Sequence, residues 1–410
     1  MAFSQPLSGI AAQSKNLDVI GNNIANSQTV GFKSGNALFA DVFAGANSKV
    51  GLGTRISDVR QDFSAGDLES TGRGLDLAIG GEGFFQLEES NGETVYSRNG
   101  QFSQDSEGFL VNATGQKLTG YGLSDSEDPF SDIQESKIEP LQISREDVPA
   151  NATEEASTVY NLDARAVPGE DLQEAEVLTD PDDETSGTDI EYHFSASFTA
   201  YDSLGNDHTV TQYFERVDKD PNDWVVRHAL DGVRVPGGGN NKRISFDSNG
   251  ELRNDSKDLE DGALKVQDGG GDERLKFNAD DYDFEGAEDL AISFDFKGTT
   301  QFNNSSTQNS LTQDGHTSGS LAGIEVENDG TVQRNFTNGE SRAAGRVTLA
   351  SFVNQEGLQP QGDNNFSATN ASGEPAIGTA GAGLLGSIES GAVENSNVDL
   401  ASELVDTIIA

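Results

Sequence analysis

The sequence predicts a mainly β protein with an α-helix at each end, in the order helix, β, β, β, helix. Three observations predict it. Large apolar residues recur at helical spacing near both termini, and the segments between them alternate with period two. The chain of 410 residues also holds 47 Gly against 10 Pro, a balance that suits many tight turns and no collagen-like or Pro-rich segment. Its length suits two to four domains of roughly 100–200 residues.

Residues 4–26 read as an amphipathic helix. Phe3, Leu7, Ile10, Ser14, Leu17, Gly21 and Ile24 fall at alternating spacings of four and three, one seam of a heptad pattern. Ser4 suits the cap and Pro6 the first turn. Gln5, Gln13, Lys15, Asn16 and Asn22 occupy the opposite face. A lone helix of this length is marginal in water. Burying five large apolar side chains at about 2 kcal/mol each contributes roughly 10 kcal/mol before ordering costs. The seam therefore needs a cover.

Residues 27–71 read as irregular and turn-rich. From about 72 the period becomes two: Leu75, Leu77 and Ile79 alternate, and Gly80-Gly81-Glu82-Gly83 leads into Phe84-Phe85-Gln86-Leu87. Asn99-Gly100, between Val95-Tyr96-Ser97 and Gln101-Phe102, carries a hairpin signal. Further strands are expected at 108–112 and 116–122. Residues 123–190 are acidic and poor in aromatics, and part of them reads as a solvated connection.

Strong alternation returns with Phe194, Ala196, Phe198 and Ala200 on one face, a turn at Leu204-Gly205-Asn206-Asp207, then Val210 to Val217 and Trp224-Val225-Val226. A second β domain is expected over 159–299, with Gly- and Asp-rich loops at 236–240 and 268–273. Asn328-Asp329-Gly330 and Asn338-Gly339 signal hairpins before Val347, Leu349 and Phe352. Residues 376–391 read as a Gly/Ala-rich loop. After it Val398, Leu400, Ala401, Leu404, Val405, Ile408 and Ile409 restart a helical apolar stripe, with Asn397 or Asp399 as its cap.

Charge narrows the function. Twenty-six Lys+Arg against 70 Asp+Glu give a net charge of −44. Nucleic acid and anionic lipid both need a positive footprint, so neither is an expected partner. Packing many copies side by side would add to the self-repulsion. Ionic strength near 1 M shortens the Debye length to about 3 Å, which points to a marine or halophilic source. There is no Cys, which excludes disulfides and thiolate metal sites. No run of 18 apolar residues occurs, so membrane insertion is not expected. The first residues lack the basic and apolar regions of a cleaved secretory signal, so export would need another route.

Enzyme chemistry finds no foothold. The four His (193, 208, 228 and 316) are widely spaced, and His193 and His208 meet only if a hairpin aligns them. Gly381, Gly383 and Gly386 match a dinucleotide-binding spacing, yet 24 residues remain after them, too few for a βαβ unit; a hinge before the last helix fits better. The acidic clusters at 180–184 and 279–285 lack the register of a calcium loop. No catalytic residue, metal ligand or cofactor is expected.

The run Leu17-Asp18-Val19-Ile20-Gly21-Asn22-Asn23-Ile24-Ala25-Asn26, continuing to Thr29, Gly31, Phe32 and Lys33, resembles the signature of flagellar rod and hook proteins. Gly72-Arg73-Gly74-Leu75-Asp76-Leu77-Ala78-Ile79, Gly83-Phe84-Phe85 and Tyr96-Ser97-Arg98-Asn99-Gly100 agree with it. So do Asn354-Gln355-Glu356-Gly357-Leu358, Gly362-Asp363-Asn364 with Phe366, and Gly391-Ala392-Val393-Glu394-Asn395-Ser396-Asn397-Val398-Asp399-Leu400. Asn22, Asn23, Asn26, Gly31, Phe32 and Lys33 carry the signature. Rod proteins lack a large insert. Tyr201-Asp202-Ser203-Leu204-Gly205-Asn206 resembles the outer domain of the hook branch of this family.

The resemblance implies a self-assembling structural subunit of a bendable tube that joins rod to filament and transmits torque. It implies export through the flagellar type III apparatus without cleavage, and a place outside the cell in the bacterial flagellum. Its implied partners are further copies of itself, a distal rod protein, a hook cap and a hook–filament junction protein.

The implied layout is nested. Residues 1–28 and 392–410 form an inner-tube helical domain, 29–71 an extended linker, 72–158 with 300–365 an inner β domain, 159–299 an outer insert, and 366–391 a linker. Phe3, Leu7, Ile10, Leu17 and Ile24 are expected to pack against Leu400, Leu404, Val405 and Ile408 and against neighbouring subunits. The last helix stops mid-stripe without a capping Gly, and the family's helix continues further, so part of the inner-tube surface is expected to be missing. A distal-rod protein, and a secreted acidic adhesin or matrix protein lacking any need for the Asn-rich signature, remain the alternatives.

Overall fold

The computed structural model describes residues 4–409 except 44–50, 125–127, 181, 182, 184, 219–221, 236–241, 254–258, 261, 262, 265–273, 283 and 285. Phe3, the 236–240 and 268–273 loops and parts of both acidic clusters lie outside the described residues. The helices are α1 (Ser4–Ala25), a single turn α2 (Ala279–Tyr282) and α3 (Leu400–Ile409). Among the remaining described residues strand is the main regular structure, as the turn chemistry and period-two runs lead one to expect.

The chain forms two compact units. The first is Met1–Glu146, Leu321–Phe336 and Ser341–Ala410, and the second is Asp147–Ser320 with Thr337–Glu340. In the first unit, β1 (Gly35–Phe43) and β2 (Gly51–Gln61) form an antiparallel hairpin with two register shifts. β3 (Leu68–Ser70) pairs with Ala392–Glu394, and β4 (Leu77–Gly80) with Ser387–Ser390.

The main sheet of this unit runs Leu321–Val326, Thr331–Phe336, Ser341–Ser351, Lys117–Leu123, β5 (Phe84–Glu88), β6 (Thr94–Ser97), Asn365–Ser367, Gln359–Gly362. Three strands from before the insert sit between strands from after it. Neither half closes the sheet alone. Its two faces bury separate apolar sets: Leu77, Ile79, Phe85, Leu87, Val347 and Leu349 on one side, Phe84, Tyr96, Phe352 and Phe366 on the other. The Phe84-Phe85 pair splits between them because consecutive side chains of a strand point to opposite faces.

In the second unit, strands Phe194–Tyr201, Asp207–Arg216, Asp223–Leu230 and Lys242–Ser245 form an antiparallel sheet. Phe198 and Ala200 are buried with Trp224, Phe214 and Phe294, and Phe194 and Ala196 pack at the edge of the same cluster. Asp202 closes the 202–207 turn, its carboxylate accepting the Leu204 and Asn206 amides at 2.9 and 2.8 Å.

His228 is fully buried, beside the Gln212 amide at 3.2 Å and the Phe294 ring. Burial, with a smaller contribution from Lys242, pushes its pKa down to about 3. The unfolded chain takes up this proton near the ordinary 6.5, whereas the native fold refuses it until about 3. Stability is therefore lost as pH falls through that window, at a limiting rate of about 1.4 kcal/mol per unit. His228→Gln should remove this part of the acid sensitivity. Urea melts from pH 6.5 to 4 check it, and parallel stability curves for the two proteins would contradict the assignment.

Several expectations are corrected. The 29–71 segment is not irregular, because Gly35–Phe43 and Gly51–Gln61 pair as a hairpin that α1 holds through Ser8 and Asn23. Asn99-Gly100 is not a hairpin; the turn between β5 and β6 lies at Asn91-Gly92, where the Gly92 amide bonds to Glu89. Gly100 is instead a point of close approach, since a Cβ there would come within 1.7 Å of the Leu77 carbonyl oxygen.

The acidic 123–190 stretch contains strands Ile133–Pro140, Glu155–Asp163 and Gln173–Val177. The expected borders at 159 and 299 do not match the compact units, because Glu155–Asp163 pairs with Leu290–Asp295, Thr300–Phe302 and Thr307–Gln313. The 366–391 segment is not a linker either. Its Gly386 amide bonds to Glu82 at 2.8 Å, and a Cβ at 386 would meet the Gly80 carbonyl. His193 and His208 do not meet: His208 lies opposite Ala200, while the His193 amide bonds to Phe214.

Candidate functional site

α1 has two unlike faces. Ala12, Ile20 and Asn23 are buried, and Ser8, Asn16 and Val19 are half-buried beside them. This is the face that meets the hairpin: Ser8 Oγ accepts the Thr54 amide, and Val19 approaches Gly35. The expected seam lies on the other side. Leu7 and Ile10 are 67% and 68% exposed, Leu17 is exposed, and Ile24 is half-buried. The chain buries Ile20 together with small and polar positions and leaves Leu7, Ile10 and Leu17 outward.

α3 repeats the arrangement. Asp399 caps it, its carboxylate accepting the Ala401 and Ser402 amides at 2.9 and 3.3 Å. Asn397 is not the cap; it bridges the Ser34 amide and the Asp62 carbonyl, both at 2.8 Å. Glu403 faces α1, with Asp406 and Ile409 lining a shallow groove beside Gln13 and Asn16. Leu400, Leu404, Val405 and Ile408 are all exposed, Ile408 at 85%. The two apolar stripes are therefore not packed against one another within one chain, contrary to the expected pairing. Both face outward.

The signature residues explain why the helices sit as they do. The Asn23 side chain copies a strand pairing: Oδ1 accepts the Gly35 amide and Nδ2 donates to the Gly35 carbonyl, each at 2.9 Å, while Nδ2 also reaches Glu403 Oε1 at 2.8 Å. One buried amide thus ties α1, β1 and α3. Asn26 ends α1 by donating from its amide and from Nδ2 to the Asn22 carbonyl. Gly31 (φ 71°) lies against the 98–99 bend, where a Cβ would approach the Asn99 nitrogen to 2.6 Å. Phe32 is half-buried and makes a turn back to Thr29.

Lys33 is fully buried. Its Nζ donates to the Ser64 carbonyl at 2.6 Å and to Glu394 Oε1 at 2.7 Å. Glu394 Oε1 also accepts the Gly66 amide, and Oε2 accepts Arg98 Nη1 at 3.3 Å. Arg98 also donates to the Gly81 carbonyl at 2.9 Å and lies over the face of Phe84. Burial pushes both Lys33 and Arg98 below their ordinary pKa values, against the opposing pull of Glu394. Removing one partner of a buried ion pair costs about 3–5 kcal/mol, because the other charge is left without a counterion. Sequence reasoning placed Lys33 and quoted Arg98 and Glu394 within motifs, but did not bring the three together. The one available signal was a carboxylate inside Ala392-Val393-Glu394, where a strand would bury it.

Residues 7–33 match a family model described as flagella basal body rod protein. Residues 78–155 match the flagellar hook protein FlgE/F/G D1 domain, and 161–316 the flagellar basal body protein FlaE D2 domain. The flagellar hook protein FlgE of Salmonella typhimurium is 39% identical over 417 aligned residues, covering 100% of this chain and 94% of the relative. That of Borreliella burgdorferi is 32% identical, covering 98% and 92%. Among solved structures, flagellar hook protein FlgE2 of Helicobacter pylori shares the fold with a TM-score of 0.53 at 13% identity, covering 78% of this chain and 99% of that one. By whole-chain identity to these relatives, the chain belongs to the flagellar hook protein FlgE family.

Proposed function

We propose that this chain is a structural subunit of the flagellar hook whose copies join through their terminal helices. The position of the apolar surface carries this reading. Among the described residues seventeen large apolar side chains are exposed, and twelve of them lie between 7 and 68 or between 400 and 409. They sit on α1, α3, β3 and the hairpin that α1 covers. A protein that stays alone rarely leaves so much apolar surface in one region. Covering it with further copies removes each Leu or Ile from water for about 1.5–3 kcal/mol.

Charge favours the same end. Residues 4–43 hold Lys15 and Lys33 against Asp18 and Asp41, a neutral segment in a chain of net charge −44. The neutral N-terminal segment gathers at the centre of a tube, and the acidic β units stay outside in water. Such units slide past one another as the tube bends, while the helical core carries torque. The subunit works outside the cell as part of the flagellum and has no catalytic task. Its neighbours at the ends of the tube are a distal rod protein, a hook cap and a hook–filament junction protein.

Electron microscopy of the purified chain in about 1 M salt, where the Debye length is about 3 Å, tests the reading. Curved tubes are expected. Straight rods, or protein that stays monomeric at every concentration, would overturn it.

A further inference from the structure

We propose that Glu394 is the positioning residue that fixes the assembling helices on the β unit, by holding Lys33 and Arg98 together on one buried carboxylate. The proposal rests on the reading that the terminal helices are the contacts of the polymer, and adds what sets their orientation.

Two covalent routes lead from the β unit to the helices. One runs through 26–76 to α1 and the other through 391–399 to α3. Both pass within hydrogen-bond distance of Glu394. On the first route lie Lys33, whose ammonium it holds at 2.7 Å, and Gly66, whose amide donates to the same Oε1 at 2.8 Å. The Gly31 amide donates to the Glu394 carbonyl at 2.7 Å. On the second route Glu394 is itself a member of the chain. Arg98, following β6, brings in the β unit from the third side.

Backbone pairing alone is a weak fastening here. β3 meets 392–394 over three residues, Leu68 with Glu394, Glu69 with Val393 and Ser70 with Ala392. A pair of strands this short is marginal without other support. The side chains of Lys33, Glu394 and Arg98 are nearly excluded from solvent, at 0%, 1% and 2% exposure. In that low-dielectric setting one carboxylate between two cations binds both strongly, and its loss leaves two like charges facing one another.

Amide hydrogen exchange on the full chain in low salt, with electron microscopy of the polymer in high salt, tests this. Glu394→Gln should speed exchange at Gly31, Gly66 and Asn395 by on the order of 100-fold, since an uncompensated buried charge favours local opening. Amides of the Phe85–Leu349 core should keep wild-type rates, and tubes should form with variable curvature. Lys33→Met leaves Glu394 and Arg98 as a balanced pair, and should speed the same amides by about tenfold or less.

Wild-type exchange in Glu394→Gln overturns the proposal, as does Lys33→Met opening the joint as far as Glu394→Gln. Should Glu394→Gln fail to fold, the double variant Lys33→Met, Glu394→Gln replaces it, with Arg98 as the one uncompensated buried charge. Fast exchange at the three amides over an intact core then supports the proposal, and wild-type protection overturns it. If the wild-type chain forms no tubes, the assembly reading fails, while the exchange comparison still decides the joint.

Discussion

Ile10→Asp should leave the monomer folded and abolish polymerisation. Ile10 is 68% exposed and Leu7 beside it 67%, so a carboxylate at position 10 displaces no packing within the chain. In the polymer the same position loses about 2 kcal/mol of apolar burial and gains a charge that must be desolvated, at a cost of several kcal/mol more. Every subunit carries the change, so every contact in the tube suffers it. The critical concentration should rise by at least about 1,000-fold, since each 1.4 kcal/mol is tenfold. Leu404→Asp makes the same test on α3.

Ala12→Asp is the opposite case. Ala12 is 6% exposed on the inward face of α1, so the added carboxylate should detach α1 from the hairpin in the monomer itself. Sedimentation separates the two outcomes, and amide exchange at Gly35 reports whether α1 is still seated. Tubes from Ile10→Asp at the wild-type concentration would place the contacts elsewhere.

That contrast shows where the sequence was legible and where it was not. The helix at 4–26 was readable because Leu7, Ile10, Leu17 and Ile24 repeat at heptad spacing. The face it buries was not readable, because large apolar residues mark where a helix wants a partner, and Leu7, Ile10 and Leu17 of this seam stay exposed within the chain. Inside the chain, Ile20 packs beside Ala12 and Asn23, and the close approach and hydrogen bonds of those two leave no mark in a hydrophobic pattern.

The hairpins at Asn328-Asp329-Gly330 and Asn338-Gly339 were legible because both glycines need positive φ (89° and 88°), which Gly adopts without strain. The strand 155–163 was not, since the partners that hold it lie at 290–313, and pairing over that distance leaves no local trace beyond Ala156, Tyr160 and Leu162 in alternation. The Lys33–Glu394–Arg98 joint fails for the same reason, with its members in three distant motifs. Those motifs identified the flagellar rod and hook family, and the insert with Tyr201-Asp202-Ser203-Leu204-Gly205-Asn206 identified its hook branch.

Salt should control assembly through the second unit and not through the helices. Residues 147–320 hold 38 Asp+Glu against 13 Lys+Arg, more than half of the chain's excess charge. Repulsion is built even into its local pairing. In the strands Gln173–Val177 and Thr188–Tyr192, Glu174 lies opposite Glu191 and Glu176 opposite Asp189. Like charges in directly opposed positions each cost a few tenths of a kcal/mol to about 1 kcal/mol.

Packing such units around a tube brings their fields into range of one another. At 10 mM salt the Debye length is about 30 Å, so each subunit feels its neighbours in full; at 1 M it is about 3 Å and the repulsion is confined to direct contacts. The critical concentration should therefore fall by about 100-fold or more between 10 mM and 1 M NaCl, equivalent to about 3 kcal/mol per added subunit. Replacing Glu174, Glu176, Asp189 and Glu191 with Gln or Asn should shift the midpoint of this dependence to lower salt. It should leave the effect of Ile10→Asp unchanged, because the repulsion arises in the second unit and the apolar contact on α1 of the first. Equal assembly at 10 mM and 1 M would mean that the acidic units stand too far apart in the tube to interact, and the halophilic reading of the composition would fall with it.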